Sequence, residues 1–300
     1  MDDYRQSEVY CQYFSKRGWA TETVGSTKIL IKKIPFLGTI LRIQRGPSSN
    51  SLVDIDNFAK KNKALMIFIE SDIKTENADY KEFDKTFKLL GYKNINLFLS
   101  PTKTTYIDLS KSETAILASF DQDIRKQLKR NSKKNISFKT VGCMDEFYSI
   151  DYETSRRGKY FVHSFKNWKA KWEPFGDEVQ FILAYIDGEL LGGNMFTVQP
   201  PVAFGLSLPS TVHGKSNRIA ATLIWEGIKR AKALGCTKFD LNGLYDERYN
   251  APIKWVGLTA FKRKFKGNEV EFMHPKIKIY KWYLRPLERL GLLWMFFVDA

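Results

Sequence analysis

Apolar and polar positions divide the chain into two successive runs of elements. Residues 4–16 read as a helix ending before Gly18. Residues 21–33 alternate, with β-branched character around Gly25-Ser26, and predict a hairpin. Pro35 and Gly38 break that pattern, and residues 39–45 form a further strand stopped by Gly46-Pro47. A helix over 52–61 leads to a continuous apolar run at 64–70, the pattern of a strand covered on both faces. A helix over 80–90, closed by Gly91, and a strand over 95–99 complete the first run.

After Pro101 a second run begins. A strand over 106–109 is followed by Ser112, an N-cap with Glu113 in the first turn, and a helix over about 113–132. Helical turns fall within 144–157. Strands over 178–185 and 190–198 flank Asp187-Gly188, a hairpin signal, and Gly192-Gly193 marks a bulge or a close backbone approach. A strand over 202–208 precedes an amphipathic helix over 217–234. Its apolar residues Ile219, Ala220, Leu223, Ile224, Ile228 and Ala231 recur at helical spacing, and Gly235 ends it. Helix, hairpin, strand, helix and strand thus occur once before Pro101 and once after it, without a matching sequence period. This predicts two tandem α/β (α+β) domains of similar topology, 1–105 and 106–274, with 275–300 as a tail.

The hydrophobic share and 300-residue length suffice for two folded domains. Lys plus Arg number 48 against 33 Asp plus Glu, and the resulting +15 implies a polyanionic partner: nucleic acid, a phosphorylated substrate or an anionic membrane face. Cys11, Cys143 and Cys236 lie far apart and suggest neither a disulfide framework nor a metal site, which fits a reducing, cytoplasmic setting. The polar N-terminus does not read as a signal peptide, and no apolar run approaches bilayer length. Nothing requires a metal or organic cofactor.

The stretch 238–267 concentrates the candidate chemistry. A short apolar strand (Phe239, Leu241) runs into Asn242-Gly243. An aromatic, charged loop follows, and an apolar run at 256–261 reads as the return strand of a hairpin, with Lys262 directly after Phe261. The order hairpin, strand, amphipathic helix, strand is that of the GNAT acyltransferase fold. Acyl-CoA users of that fold hold a pyrophosphate on backbone N–H groups where the amphipathic helix starts. The corresponding stretch here, residues 215–220, has Arg218 where a glycine is needed, and that side chain obstructs close approach of a pyrophosphate.

An ordered series of motifs then resembles one family. It comprises Gly18-Trp19, Ile34-Pro35-x-Leu37-Gly38, Arg45-Gly46-Pro47, Pro101-x-x-Thr104, Ile107-Asp108-Leu109-Ser110, the basic segment 125–134, Thr154-x-x-Arg157 and Tyr185-x-Asp187-Gly188. It continues in Leu223-x-Trp225-Glu226, Ala231-x-x-x-Gly235, Phe239-Asp240-Leu241-x-Gly243 and Gly257-Leu258-x-x-Phe261-Lys262-x-x-Phe265-x-Gly267. The series resembles the FemABX family of tRNA-dependent aminoacyltransferases that build peptidoglycan interpeptide bridges. The resemblance implies two tandem GNAT-like domains, here without a coiled-coil arm, and a tail that returns to the first domain. It implies that Lys262 steadies the oxyanion formed at the aminoacyl ester, with Phe261 offering a carbonyl to the attacking amine. Asp108 and Asp240 are the carboxylates in matched motifs that can take its proton.

Arg157, with Arg156 and Lys33, is the expected set for the precursor diphosphate, and Tyr245, Tyr249 and Trp255 are expected to wall the cleft. Arg125, Lys126, Lys129, Arg130, Lys133 and Lys134 suit a tRNA backbone, or form a solvated basic face. The C-terminal stretch mixes cations with Trp282, Trp294 and Met295 and offers a peripheral contact with the inner membrane face, or packs into the core. The expected reaction moves an amino acid from aminoacyl-tRNA to a peptidoglycan precursor, lipid-linked or nucleotide-linked. The competing readings are a GNAT-type acyl-CoA N-acyltransferase and a non-catalytic tRNA- or membrane-binding module.

Overall fold

A computed structural model describes residues 3–47, 51–140, 142, 144–159, 163–249 and 254–297, with Lys254 by its backbone alone. Cys143 and the last three residues of the tail lie outside these.

In the first half a 3-10 turn (Tyr4–Gln6) leads to α1 (Glu8–Ser15), whose first turn is capped by Ser7 Oγ accepting the Tyr10 N–H at 3.2 Å. Strands β1 (Trp19–Val24), β2 (Thr27–Ile34) and β3 (Gly38–Gln44) run antiparallel. Helix α2 (Leu52–Lys61) crosses over to β4 (Ala64–Glu70), which pairs parallel with β3. Every residue of β4 is buried, as its unbroken apolar run requires. Helix α3 (Tyr80–Leu89) and the two-residue β5 (Lys93–Asn94) follow.

The second half opens with β6 (Lys103–Asp108), α4 (Glu113–Ser119), α5 (Gln122–Asn131), β7 (Ile136–Lys139), α6 (Met144–Gly158) and α7 (Phe165–Trp172). Strands β8 (Val179–Ile186), β9 (Glu189–Gln199) and β10 (Val202–Ser207) then run antiparallel. The short α8 (Val212–Ser216) and the long α9 (Ile219–Ala233) return the chain to β11 (Lys238–Asp240), parallel to β10. Helix α10 (Lys254–Arg263) and strands β12 (Asn268–Glu271) and β13 (Lys276–Ile279) precede α11 (Arg285–Arg289). One sheet has the order β1-β2-β3-β4-β13-β5 and the other β12-β6-β11-β10-β9-β8-β7. Each therefore contains three antiparallel strands, a helical crossover and one parallel partner.

Three expectations are corrected. Residues 95–99 form no strand: β13 takes the place beside β4, and the N–H groups of Leu99 and Ser100 bind the Glu70 carboxylate at 2.6 and 2.8 Å instead of a ladder. The helix expected over 113–132 is broken at Phe120, which takes extended backbone so that its buried ring meets Trp225 and Phe265. Asp121 then caps α5. The run 256–261 is helix, not strand. Trp255, Thr259 and Lys262, spaced at i, i+4 and i+7, face inward, while Val256 and Leu258 are exposed.

The hairpin turn at Asp187-Gly188 has positive φ at both residues, the geometry that suits the twist of the flanking strands. The glycine pair in β9 reflects crowding: a Cβ at Gly192 would stand 2.7 Å from the Pro209 carbonyl, and one at Gly193 would stand 2.8 Å from the Phe147 ring. Gly214 is tighter still, pressed on the Leu191 backbone carbonyl. Backbone cannot yield as a flexible side chain does, so Gly214→Ala is expected to cost about 2–3 kcal/mol, read as a lower urea midpoint at unchanged slope.

Candidate active site

The parallel pair β10–β11 holds for only three residue pairs, ending at Phe204 opposite Asp240, before the strands part. Beyond that point the β11 chain turns to β6: Leu241 N–H donates to the Thr105 carbonyl at 3.0 Å and Leu244 N–H to that of Lys103 at 2.9 Å. The carbonyls of Asn242 and Gly243 are left to find other partners, and Lys262 Nζ from α10 supplies them at 3.0 and 2.8 Å. Thr259, one turn earlier on α10, ties the same loop by accepting the Tyr245 N–H at 2.6 Å.

Lys262 is half-buried, and desolvation of its ammonium lowers its pKa from 10.5 to about 8, against the opposing pull of the Asp240 carboxylate. Asp240 is buried, which raises its pKa; the Thr104 hydroxyl and the Asn242 N–H, the latter at 2.6 Å, both donate to it and oppose that rise. An ammonium has three donors, and among the described residues only two of those on Lys262 have acceptors.

The end of β10 carries the second cation. Arg157 on α6 donates through Nη2 to the Ser210 carbonyl and, at 3.0 Å, to Thr154 Oγ1; Thr154 Oγ1 itself donates to the Ser210 carbonyl at 3.3 Å. Ser207 Oγ donates to Asp151 Oδ1 at 2.5 Å, and burial raises the Asp151 pKa. A cavity of about 240 Å³ opens here, lined by Asp151, Ser155, Trp168, Leu206, Ser207 and, from the first half, Tyr13. Thr154 stands in the motif that carries Arg157, whereas Asp151, Ser207 and Ser210 were not anticipated. Their one sequence signal is that Asp151, Thr154 and Arg157 recur every third residue on one helix.

The other expected residues divide. Trp255 lies against Gly243, where a Cβ would stand 3.3 Å from its ring, and meets Phe98 at 6.5 Å. Tyr249 is buried, meets Phe98 at 5.4 Å and bonds His274 Nδ1 through its hydroxyl at 2.8 Å; Tyr245 is half-buried beside α10. Arg156 is exposed over the Tyr152 ring, and Lys33 is exposed at the end of β2. Phe261 packs edge-on against Phe265, and its carbonyl accepts the Lys264 N–H at 3.2 Å within the helix end.

Asp108 stands apart from the Lys262 group. It is exposed and pairs with Lys238, four residues before Asn242, or about 13 Å along an extended strand. Hydrogen bonds from the Ser110 hydroxyl and N–H hold its pKa below the usual carboxylate value, which opposes a role as base. It lines a larger cavity of about 660 Å³ with Arg45, Asp72 and Tyr106, which does not include Lys262.

On α5 the apolar face packs toward α9, while Arg125, Lys126, Lys129 and Arg130, and Lys133 just beyond the helix, are exposed. Lys134 is half-buried and donates to Asn217 Oδ1. That contact falls on the loop where a CoA pyrophosphate would sit. Arg218 there has φ 51°, Asn131 Nδ2 donates to the Asn217 carbonyl at 3.3 Å, and the Asn217 and Arg218 N–H groups already bond to His213 and Lys215 carbonyls. The Asn217 and Arg218 N–H groups are thus already engaged within the protein.

Paired sheets, each with one parallel pair parting beside a crossover helix, define a tandem GNAT-like acyltransferase fold. The sequence model of the FemAB family matches residues 1–191, and the chain belongs to that family. A search of curated proteins finds no match. Among solved structures, the one described as FemX superposes with a TM-score of 0.81 at 16% identity, covering 96% of this chain and 94% of FemX. The C-terminal domain of a putative lysylphosphatidylglycerol synthetase from Agrobacterium fabrum gives 0.60 at 12% identity, covering 95% of this chain and 91% of that one. A tandem GNAT protein from the clavulanic acid biosynthesis pathway gives 0.50 at 10% identity, covering 87% of this chain and 83% of that one. The protein is thus a transferase of the FemAB family on a GNAT-like scaffold.

The Lys262 environment sets a testable pH dependence. Below about pH 8 folded and unfolded chains both carry the proton, and the burial penalty is present in full; between about 8 and 10.5 the unfolded chain holds a proton that the folded one has released, so stability rises with pH. Urea unfolding of wild type and Lys262→Met across that window should show the wild type gaining stability relative to the variant as pH rises.

Proposed function

We propose that this protein transfers an aminoacyl group from aminoacyl-tRNA to an amine on the peptide of a peptidoglycan precursor and so builds an interpeptide bridge. Membership in the FemAB family supports the reaction class. The observation that carries the reading is the Lys262 ammonium, drawn out of water and held by the carbonyls of Asn242 and Gly243, with one N–H that has no acceptor among the described residues.

Attack of the amine on the aminoacyl ester turns the carbonyl oxygen into an oxyanion. The free N–H of Lys262 donates to that oxygen, and the two carbonyls fix the ammonium before the reaction begins, so little reorganisation is needed. The tetrahedral intermediate then collapses with release of the tRNA ribose hydroxyl and formation of the amide. Arg157, Arg156 and Lys33 serve the anionic precursor, whose diphosphate suits the guanidinium fork of Arg157. The exposed cations of α5 take the tRNA backbone. The engaged N–H groups of Asn217 and Arg218 speak against acyl-CoA as donor. Among the described residues no helix is long and apolar enough to cross a membrane; the proposed setting is the cytoplasm, with the chain peripheral to the membrane when the acceptor is lipid-linked.

Purified protein given charged tRNA and precursor should form a new amide, and RNase should abolish it; product surviving RNase would overturn the tRNA route. Lys262→Met should lower turnover about 100-fold to 1000-fold and leave precursor binding near wild type, whereas a non-catalytic module would show tRNA binding and no turnover. Because the charged form of Lys262 is the donor, turnover should fall as pH rises through about 8, and Lys262→Arg should remove that limb from whatever activity it retains.

Affinity for tRNA should fall with salt. Replacing Arg125 and Lys129 by Ala should flatten the log–log slope by about 0.7–0.9 per lost phosphate contact, as read by filter binding; an unchanged slope would leave α5 a solvated basic face.

A further inference from the structure

The sheet topology brings three distant segments to one end of the first sheet. The β2–β3 turn at residues 35–37 projects there, since Ile34 pairs with Gly38. The start of β4 is beside it, with Thr39 opposite Ala64 and the Lys63 carbonyl accepting the Thr39 N–H at 3.3 Å. β13 ends at the same edge: Ile279 pairs with Met66, and Tyr280 N–H reaches the Leu65 carbonyl at 2.9 Å. The C-terminal segment therefore leaves the sheet within two strand spacings of the turn, roughly 10 Å.

These segments share an unusual surface. Phe36 at the turn, with φ 62°, is fully exposed, and Leu37 beside it is also exposed. In the C-terminal segment Leu284, Leu293 and Phe297 point inward; Phe297 meets Phe68 at 5.0 Å, and its carbonyl accepts from Arg42 at 2.9 Å. The outward side is nevertheless apolar: Trp282 is 76% exposed, Leu290 69% and Met295 60%, and Tyr283 and Trp294 are exposed with them. A segment held only by core packing would turn polar residues to water. Lys33, Lys63, Lys281, Arg285 and Arg289 are exposed in the same segments, while Glu288, the one carboxylate among their described residues, is drawn onto Lys93.

We propose that this end of the first sheet is a membrane-docking surface for an anionic lipid bilayer. Phe36, Leu37, Trp282 and Trp294 enter the interface, and the surrounding lysines and arginines meet the lipid phosphates. Aromatic and aliphatic tips projecting from separate segments suit a fluid interface, where rings of this type sit at headgroup level, and the cations complement its charge. The purpose of the surface rests on the proposed function, since a lipid-linked acceptor lies in that plane and Lys33 stands at its edge. The binding itself does not rest on it.

The test is co-sedimentation of the full chain with phosphatidylcholine vesicles with and without phosphatidylglycerol, together with tryptophan emission. Binding should require phosphatidylglycerol, weaken with salt and shift the emission to the blue. The pair Phe36→Ser with Leu37→Ser, and the pair Trp282→Ser with Trp294→Ser, should each weaken partitioning about tenfold or more, with an unchanged melting temperature. Both pairs should retain transfer to a soluble, nucleotide-linked precursor. Absence of vesicle binding by the wild type, dependence on only one of the two segments, or loss of soluble-acceptor transfer in the variants would overturn the proposal. Self-association abolished by the same substitutions, without vesicle binding, would assign the surface to a second copy instead. Vesicle binding without transfer to any acceptor would refute the function and leave the surface standing.

Discussion

Where two parallel strands part, their backbone groups lose ladder partners, and a folded chain must supply others. In the second half cations meet this requirement, while at the corresponding point of the first half a carboxylate takes N–H groups from the segment before β6. At the end of β4 the Glu70 carboxylate takes the N–H groups of Leu99 and Ser100, while Gln44, Tyr10 and Ser100 close a hydrogen-bonded plug around it. At the ends of β10 and β11 the demand is for donors to carbonyls, and Arg157 and Lys262 provide them. A cation that satisfies backbone oxygens keeps its charge and a further N–H for a ligand. A carboxylate saturated by N–H and hydroxyl donors has little left to offer. Two halves of like topology thus hold one crevice with donors to spare among the described residues and one sealed joint.

The sealed joint has a mechanical role of its own. Arg45, one residue past β3, donates to the Pro101 carbonyl and lies 3.6 Å over the Phe272 ring. Arg248 binds Asp246 and the Thr102 and Phe272 carbonyls, while Thr102 donates to Asp246 at 2.7 Å. These contacts join the loop after β11 to the chain entering β6 and to the β12–β13 connection. The loop bearing the Asn242 and Gly243 carbonyls is therefore fixed from below by charge-assisted hydrogen bonds and from above by α10.

Elements specified by local chemistry were legible in the sequence. The Ser112 cap, the Asp187-Gly188 turn, the β4 run and α9 all appear where their residues place them. What sequence reasoning missed depended on partners distant along the chain. The break at Phe120 exists because Trp225 and Phe265 receive its ring, and residues 95–99 lose their ladder to a carboxylate and to β13. Helix α10 was obscured by Val256 and Leu258, apolar residues that face out and mimic a strand. Lys262 could be singled out by its motif, but its partners follow from where β11 leaves β10. The contact of Asp151 with Ser207 spans 56 residues and left no pattern to read.

Strand β13 lies inside the first sheet, between β4 and β5, and its buried Lys276 is bound by Asp84 and by Asn94 at 2.6 Å. Arg42 likewise holds a carbonyl 255 residues away. During synthesis the amino-terminal half must wait, its central strand uncovered on one edge, until the final strand emerges to complete it. Such non-local closure slows assembly and leaves a β edge exposed in the interim. The native state gains in return a clasp: the first sheet cannot open between β4 and β5 without releasing β13, the strand that follows the second half.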